Sequence, residues 1–121
     1  MDMDVADPAR MKLNMKEWYW QKTTYNNGSE ITPRDPKRFA LTFKDSKTFS
    51  AHTDCNGVGG EYTLSGNKIS FVRMMSTMMY CEGSQEGDFA KSLGEVSSYH
   101  FTSKGELIFD LKYDSGVMIF K

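Results

Sequence analysis

The chain has 121 residues, 39% of them hydrophobic and 26% charged, with a formal net charge of −1 at neutral pH. That length fits one domain able to bury a core without metals or several disulfides. The balanced charge argues against a nucleic-acid partner read through a basic stripe, and no apolar run reaches the roughly 18 residues of a membrane span.

Residues 1–14 are polar with apolar positions at no clear period, which reads as a flexible leader to a single domain over 15–121. Met1 to Arg10 carries neither a basic nor an apolar segment of the kind that opens a secretion signal. The chain therefore reads either as cytoplasmic or as a mature form whose leader has been removed.

Glu17 to Tyr25, rich in aromatic and β-branched residues, predicts a strand with Trp18 and Trp20 on one face, ended by Asn26-Asn27-Gly28. Ser29 to Arg38 carries Pro33 and Pro36 and predicts an extended loop. Phe39, Leu41 and Phe43 alternate with Ala40, Thr42 and Lys44, the period of a half-buried strand. Asp45-Ser46-Lys47 turns the chain into a strand over Thr48 to His52. Next comes a glycine-rich turn, Asp54-Cys55-Asn56-Gly57-Val58-Gly59-Gly60. Glu61 to Leu64 and Lys68 to Val72 flank Ser65-Gly66-Asn67, a two-residue hairpin signal because Gly and Asn both tolerate positive φ.

The β rhythm breaks once. Phe89, Leu93 and Val96 recur at helical spacing behind Glu86 and Asp88, predicting an amphipathic helix over Ser84 to Val96 capped near Ser84. Strands return at Ser98–Thr102, Glu106–Lys112 and Val117–Lys121. Seven or eight short antiparallel strands and one helix define an α+β domain, a curved or cracked antiparallel β-barrel.

Four chemistries deserve weighing against plainer readings. A Cys55 nucleophile needs a placed histidine, yet His52 is three residues away along a strand end and His100 lies far along the chain. Met74, Met75, Met78, Met79 and Cys81 supply soft sulfur suited to Cu(I), but methionine also fills irregular core gaps. Asp54, Glu61, Glu82, Glu86 and Asp88 match no calcium loop. The two Trp, six Tyr and eight Phe either line an interior that holds an apolar ligand or simply fill it. The glycine-rich stretch suits a tight strand crossing, since Asp and Asn can bond backbone amides locally and the glycines allow positive φ or close backbone approach. If Cys55 and Cys81 face each other, an oxidising compartment joins them, and closing that loop contributes about 3–4 kcal/mol in the chain-entropy model.

The succession resembles the META/HslJ domain family. The resemblance rests on the Trp18/Trp20 strand, Leu41-Thr42-Phe43, the Cys55-Asn56-Gly57…Gly60…Tyr62 stretch, Ile69-Ser70-Phe71, Met75-Ser76-Thr77-Met78-Met79-Tyr80-Cys81, and the acidic helix with Phe89 and Leu93. It departs from the pattern at Tyr80, where the family commonly has alanine. The resemblance implies an exported, non-enzymatic domain, periplasmic or anchored to the outer membrane through an N-terminal lipid absent from this chain. Its fold is similar to a lipid-binding pilot lipoprotein of type III secretion. The expected function is to bind a partner protein or apolar ligand as a monomer in a stress-response or secretion role, without cofactor, metal or catalytic residues. An envelope stress protein handling copper or oxidants through Met and Cys is the alternative. Cys55, Asn56, Gly57, Gly60, Tyr62, Thr77 and Cys81 are the expected structural motif.

Overall fold

The computed structural model describes residues 7–45 and 47–121, and in it the period-2 segments form nine strands and the helical segment one helix. They are β1 (Trp18–Tyr25), β2 (Glu30–Ile31), β3 (Ala40–Phe43), β4 (Thr48–His52), β5 (Gly57–Ser65), β6 (Lys68–Ser76), α1 (Glu86–Gly94), β7 (Val96–Phe101), β8 (Leu107–Leu111) and β9 (Gly116–Phe120). All pairings are antiparallel in the order β2-β1-β3-β4-β5-β6-β7-β8-β9, and β9 also pairs with β1. The sheet thus curls into a ring of eight strands, while the ninth, β2, prolongs the β3 side of β1. Between β6 and β7 only one pair among the described residues, Lys68 and Ser98, is in register.

The ring closes on aromatic side chains. Trp18 and Trp20 are fully buried on one face, as their alternation predicts. A register shift between Trp20 and Lys22 then turns Thr23 inward, where its hydroxyl accepts from the Trp20 indole at 3.0 Å. Helix α1 inserts Phe89 among Trp20, Phe39 and Phe120, with ring centroids 5.3, 5.5 and 6.2 Å away. The remaining interior is taken up by contacts such as Phe49–Phe71 and Phe109–Phe120. Buried aromatic and aliphatic side chains occupy the interior of the ring as one cluster. Close packing of this kind is how a small β domain reaches interior density.

Several boundaries differ from the sequence-based expectation. Leu13, assigned to a loose leader, is 7% exposed, and its carbonyl accepts from the buried Trp18 indole at 2.8 Å. A buried indole N–H needs an acceptor, so the domain begins before residue 15. Met11 also packs against the core, whereas residues 1–6 of the expected leader lie outside the described residues. Residues 29–38 hold β2 and a short 3-10 turn at Pro36–Arg38 rather than a plain loop. The helix is shorter at both ends than expected, because Ser84 and Gln85 turn inward to Asp54 and Val96 pairs with Leu111. Ser46 of the Asp45 turn lies outside the described residues, but the Asp45 carboxylate accepts from the backbone N–H of Lys47 and Thr48. Those two bonds hold its carboxyl below the ordinary carboxylate range.

Candidate functional site

The glycine-rich stretch is not a turn in full. Only Thr53 to Asn56 turns, and from Gly57 the chain already runs as β5 beside β4. Cys55 and Cys81 are joined by a disulfide with their Cα atoms 5.8 Å apart. The bridge ties the turn before β5 to the segment that follows β6.

Beside it sits Asn56, 6% exposed, with its amide fully used. Oδ1 accepts from the Thr77 hydroxyl at 2.7 Å and from the Met79 N–H at 2.9 Å. Nδ2 donates to the Met79 carbonyl and to Glu86 Oε2, both at 3.1 Å. The Asn56 backbone N–H donates to Glu86 Oε1 at 2.7 Å, and the same oxygen accepts from the Thr53 hydroxyl at 2.7 Å. Asn carries two donors and an acceptor oxygen in one plane, the set required to clamp a peptide unit on one side and a carboxylate on the other. Gly57 contributes its carbonyl to the Thr77 N–H at 3.2 Å.

Glu86 opens α1, so its carboxylate lies at the positive end of the helix while holding the Cys55-Asn56 turn. The start of the helix is capped by Ser84, as expected, with Asp54 from the turn before β5 supporting it. Asp54 accepts from the Ser84 hydroxyl and from the Gln85 N–H, and Ser84 Oγ accepts from the Glu86 N–H at 3.0 Å. Neither the role of Glu86 nor that of Asp54 was legible as a pairing. The available signal was an acid in a first helical turn and an Asp beside Cys55, each with many commoner explanations.

What this framework carries is an apolar surface. Met75, Met78, Met79 and Tyr80 are 76%, 94%, 60% and 89% exposed. The Asn56 contacts to residue 79 use only its backbone, so these side chains project from an anchored main chain. A hollow of about 150 Å³ lined by Val58, Met74, Met75, Ser76, Glu86 and Ala90 adjoins them. On the disulfide's other flank Arg34 donates to the Gly83 carbonyl and Arg38 to the Asp54 carbonyl, binding the stretch before β3 to both segments that the bridge joins.

The structure therefore brings together Cys55, Asn56, Gly57, Thr77 and Cys81, and sets Gly60 and Tyr62 apart. A Cβ on Gly60 would sit 2.9 Å from the Arg73 carbonyl and 3.1 Å from the Met74 Cα, where β6 bulges with Arg73 at φ 53°. Close approach explains this glycine. It does not explain Gly59, whose Cβ would make ordinary contact at 3.6 Å. Tyr62 lies at the far end of β5, its ring 5.0 Å from Phe43 and its hydroxyl donating to the Asp45 carbonyl. Burial, then the charges of Asp45 and Tyr99, pushes its phenol above the ordinary value.

The bonded sulfurs leave Cys55 no thiol to act as a nucleophile, and His52 is exposed at the end of β4. Cys81 likewise drops out of the soft-ligand set, which shrinks to thioethers. No group of three or more His, Cys, Asp or Glu side chains converges as metal ligands among the described residues. Of the acids considered for calcium, Asp54 and Glu86 are engaged as above and Glu61 pairs with Arg73. Among the described residues no helix is long and apolar enough to cross a membrane.

Comparison with known proteins gives one family and two solved structures of similar fold. The META domain profile matches residues 12–121. An NMR structure of a protein from Burkholderia xenovorans superposes with a TM-score of 0.76 at 19% identity, covering 100% of this chain and 91% of that one. A DUF4847 family protein from Bacteroides vulgatus superposes with a TM-score of 0.68 at 15% identity, covering 89% and 92%. No curated protein matches the chain significantly.

Proposed function

The chain belongs to the META domain family, and from that premise we propose that it is a non-enzymatic, exported binding domain that docks a partner protein at the cell envelope. The observation that carries this reading is the end of β6 and the loop after it, Met75–Tyr80, whose large apolar side chains stand in solvent on a disulfide-tied, hydrogen-bonded main chain. Exposing several such side chains together is unfavourable in water unless a partner covers them, and a pre-ordered main chain lowers the entropy lost on binding. Methionine suits such a surface because its flexible, polarisable side chain adapts to a partner. The disulfide supports an oxidising compartment, where such bonds persist. The filled interior favours this surface over a ligand held inside the ring. A stress-response or secretion role is consistent with such a module.

The test places a photoreactive phenylalanine analogue at position 78 or 80, and at the exposed control Lys104, in the full chain within cells. Discrete protein adducts are expected from the loop positions and not from 104. Absence of loop adducts, or the same adducts from 104, overturns the docking reading. Adducts with lipid in place of protein make the surface a membrane contact instead.

A further inference from the structure

We propose that Met75, Met78 and Met79 form an oxidant-reactive thioether site, and that their conversion to sulfoxide switches the docking loop from apolar to polar. The consequence for docking rests on the function proposed above, whereas the chemistry stands on its own observations. With Cys55 and Cys81 bonded to each other, neither cysteine offers a thiol to intercept an oxidant. Reactivity then falls to the thioethers and follows their accessibility. Met78, Met75 and Met79 are the most exposed methionines among the described residues, in that order. Met118 is fully buried, Met74 packs against the core, and the Met15 sulfur accepts from the Lys12 N–H at 3.5 Å.

The anchoring of the loop separates this chemistry from folding. Residue 79 is held through its N–H and carbonyl, and none of the three sulfurs fills the core. Oxidation therefore changes what the surface offers while the Asn56 clamp and the disulfide stay as they are. The oxidants that fit are a peroxide or a hypohalous acid. A sulfur lone pair attacks the terminal oxygen, the S–O bond forms as the O–O or O–Cl bond breaks, and water, or chloride with a proton, leaves. The sulfur loses two electrons and the oxidant gains them. The product carries a strong, polar acceptor oxygen in place of an apolar sulfur, disfavouring burial against an apolar partner.

The experiment treats the folded full chain with sub-equivalent hypochlorous acid and maps sulfoxide by peptide mass spectrometry. Met78 is expected to react first, at least about tenfold faster than Met118, followed by Met75 and Met79, with an unchanged melting temperature. Equal rates at Met78 and Met118, or a lowered melt after oxidation confined to the loop, overturn the site. The crosslink from position 80 is then compared before and after oxidation, and in the sulfoxide-mimicking Met78→Gln variant. Loss of the adduct in both, and its return after treatment with methionine sulfoxide reductases, supports the switch. An adduct that survives oxidation overturns the switch and leaves docking standing, whereas a missing adduct before oxidation refutes docking itself.

Discussion

At its Tyr62 end, strand β5 lies against Phe43 and Phe71, rings 5.0 and 6.5 Å away that meet it by shape and burial. At its Gly57 end the same strand emerges from Asn56, whose amide is aimed at Thr77, Met79 and Glu86 by bonds of 2.7 to 3.1 Å. Burial is non-directional, so the first end accepts any side chain of about the right volume. Hydrogen bonding in a water-poor site is directional and costly when unmet, so the second end accepts one arrangement of donors and acceptors. The difference explains how an apolar loop stays exposed. Its main chain is fixed by polar bonds to Asn56, among them one from Thr77, that need no contribution from its apolar side chains.

Backbone proximity gives the largest expected break. Gly60→Val drives a side chain into the β6 main chain and should cost about 4 kcal/mol or more, read by thermal or denaturant unfolding. Gly59→Ala, whose added carbon meets only the Phe49 carbonyl at an ordinary 3.6 Å, should cost no more than about 1 kcal/mol. Equal effects would mean that the bulge at Arg73 yields to Gly60 substitution. Next, Cys55→Ser combined with Cys81→Ser should lose about 3–4 kcal/mol by releasing the 26-residue closure, while the aromatic end keeps its near-ultraviolet dichroism. Wild-type protein unfolded without reductant should show no reactive thiol; two would refute the bridge.

The sharpest contrast is between two substitutions that disturb volume little. Asn56→Asp brings a carboxylate against Glu86 and the Met79 carbonyl and should cost about 3 kcal/mol at neutral pH. Phe71→Leu at the aromatic end should cost roughly half that, about 1.5 kcal/mol. A reversed order would put the weight of the fold on the wrong end of β5. The smallest effect is electrostatic. The Asp45 carboxyl is lowered in the folded state, so the stability it contributes is present above the unfolded value and lost as pH falls through the folded one. Asp45→Asn should therefore flatten the acid limb of stability below about pH 4, and the two proteins should converge at still lower pH. An unchanged slope between them would remove Asp45 from that limb.

The legible part of this protein was what repeats. Alternation at Trp18/Trp20, Phe39/Leu41/Phe43 and Leu107/Phe109/Leu111 marked the inner face of the strands, and the spacing of Phe89 and Leu93 marked the helix, because each signal sits within a few consecutive residues. The strand ends were less visible. β5 starts at Gly57 and β6 runs on to Ser76, because pairing partners rather than propensity sustain glycine and methionine in strands. Cys55, Asn56, Thr77 and Cys81 stood out as a motif, yet Glu86 and Asp54 did not stand out as their partners. Those bonds join residues about 30 positions apart, and nothing local distinguishes a Glu that clamps a turn from one that faces water.

By itself, then, the sequence determined the β-rich class, the aromatic core and the family, since these depend on local period, composition and motif. Only the tertiary structure decided that the ring closes through β1 and β9 and that the Asn56 amide meets the Glu86 carboxylate. It also decided which of the methionines face solvent, because exposure is set by what the rest of the chain leaves uncovered.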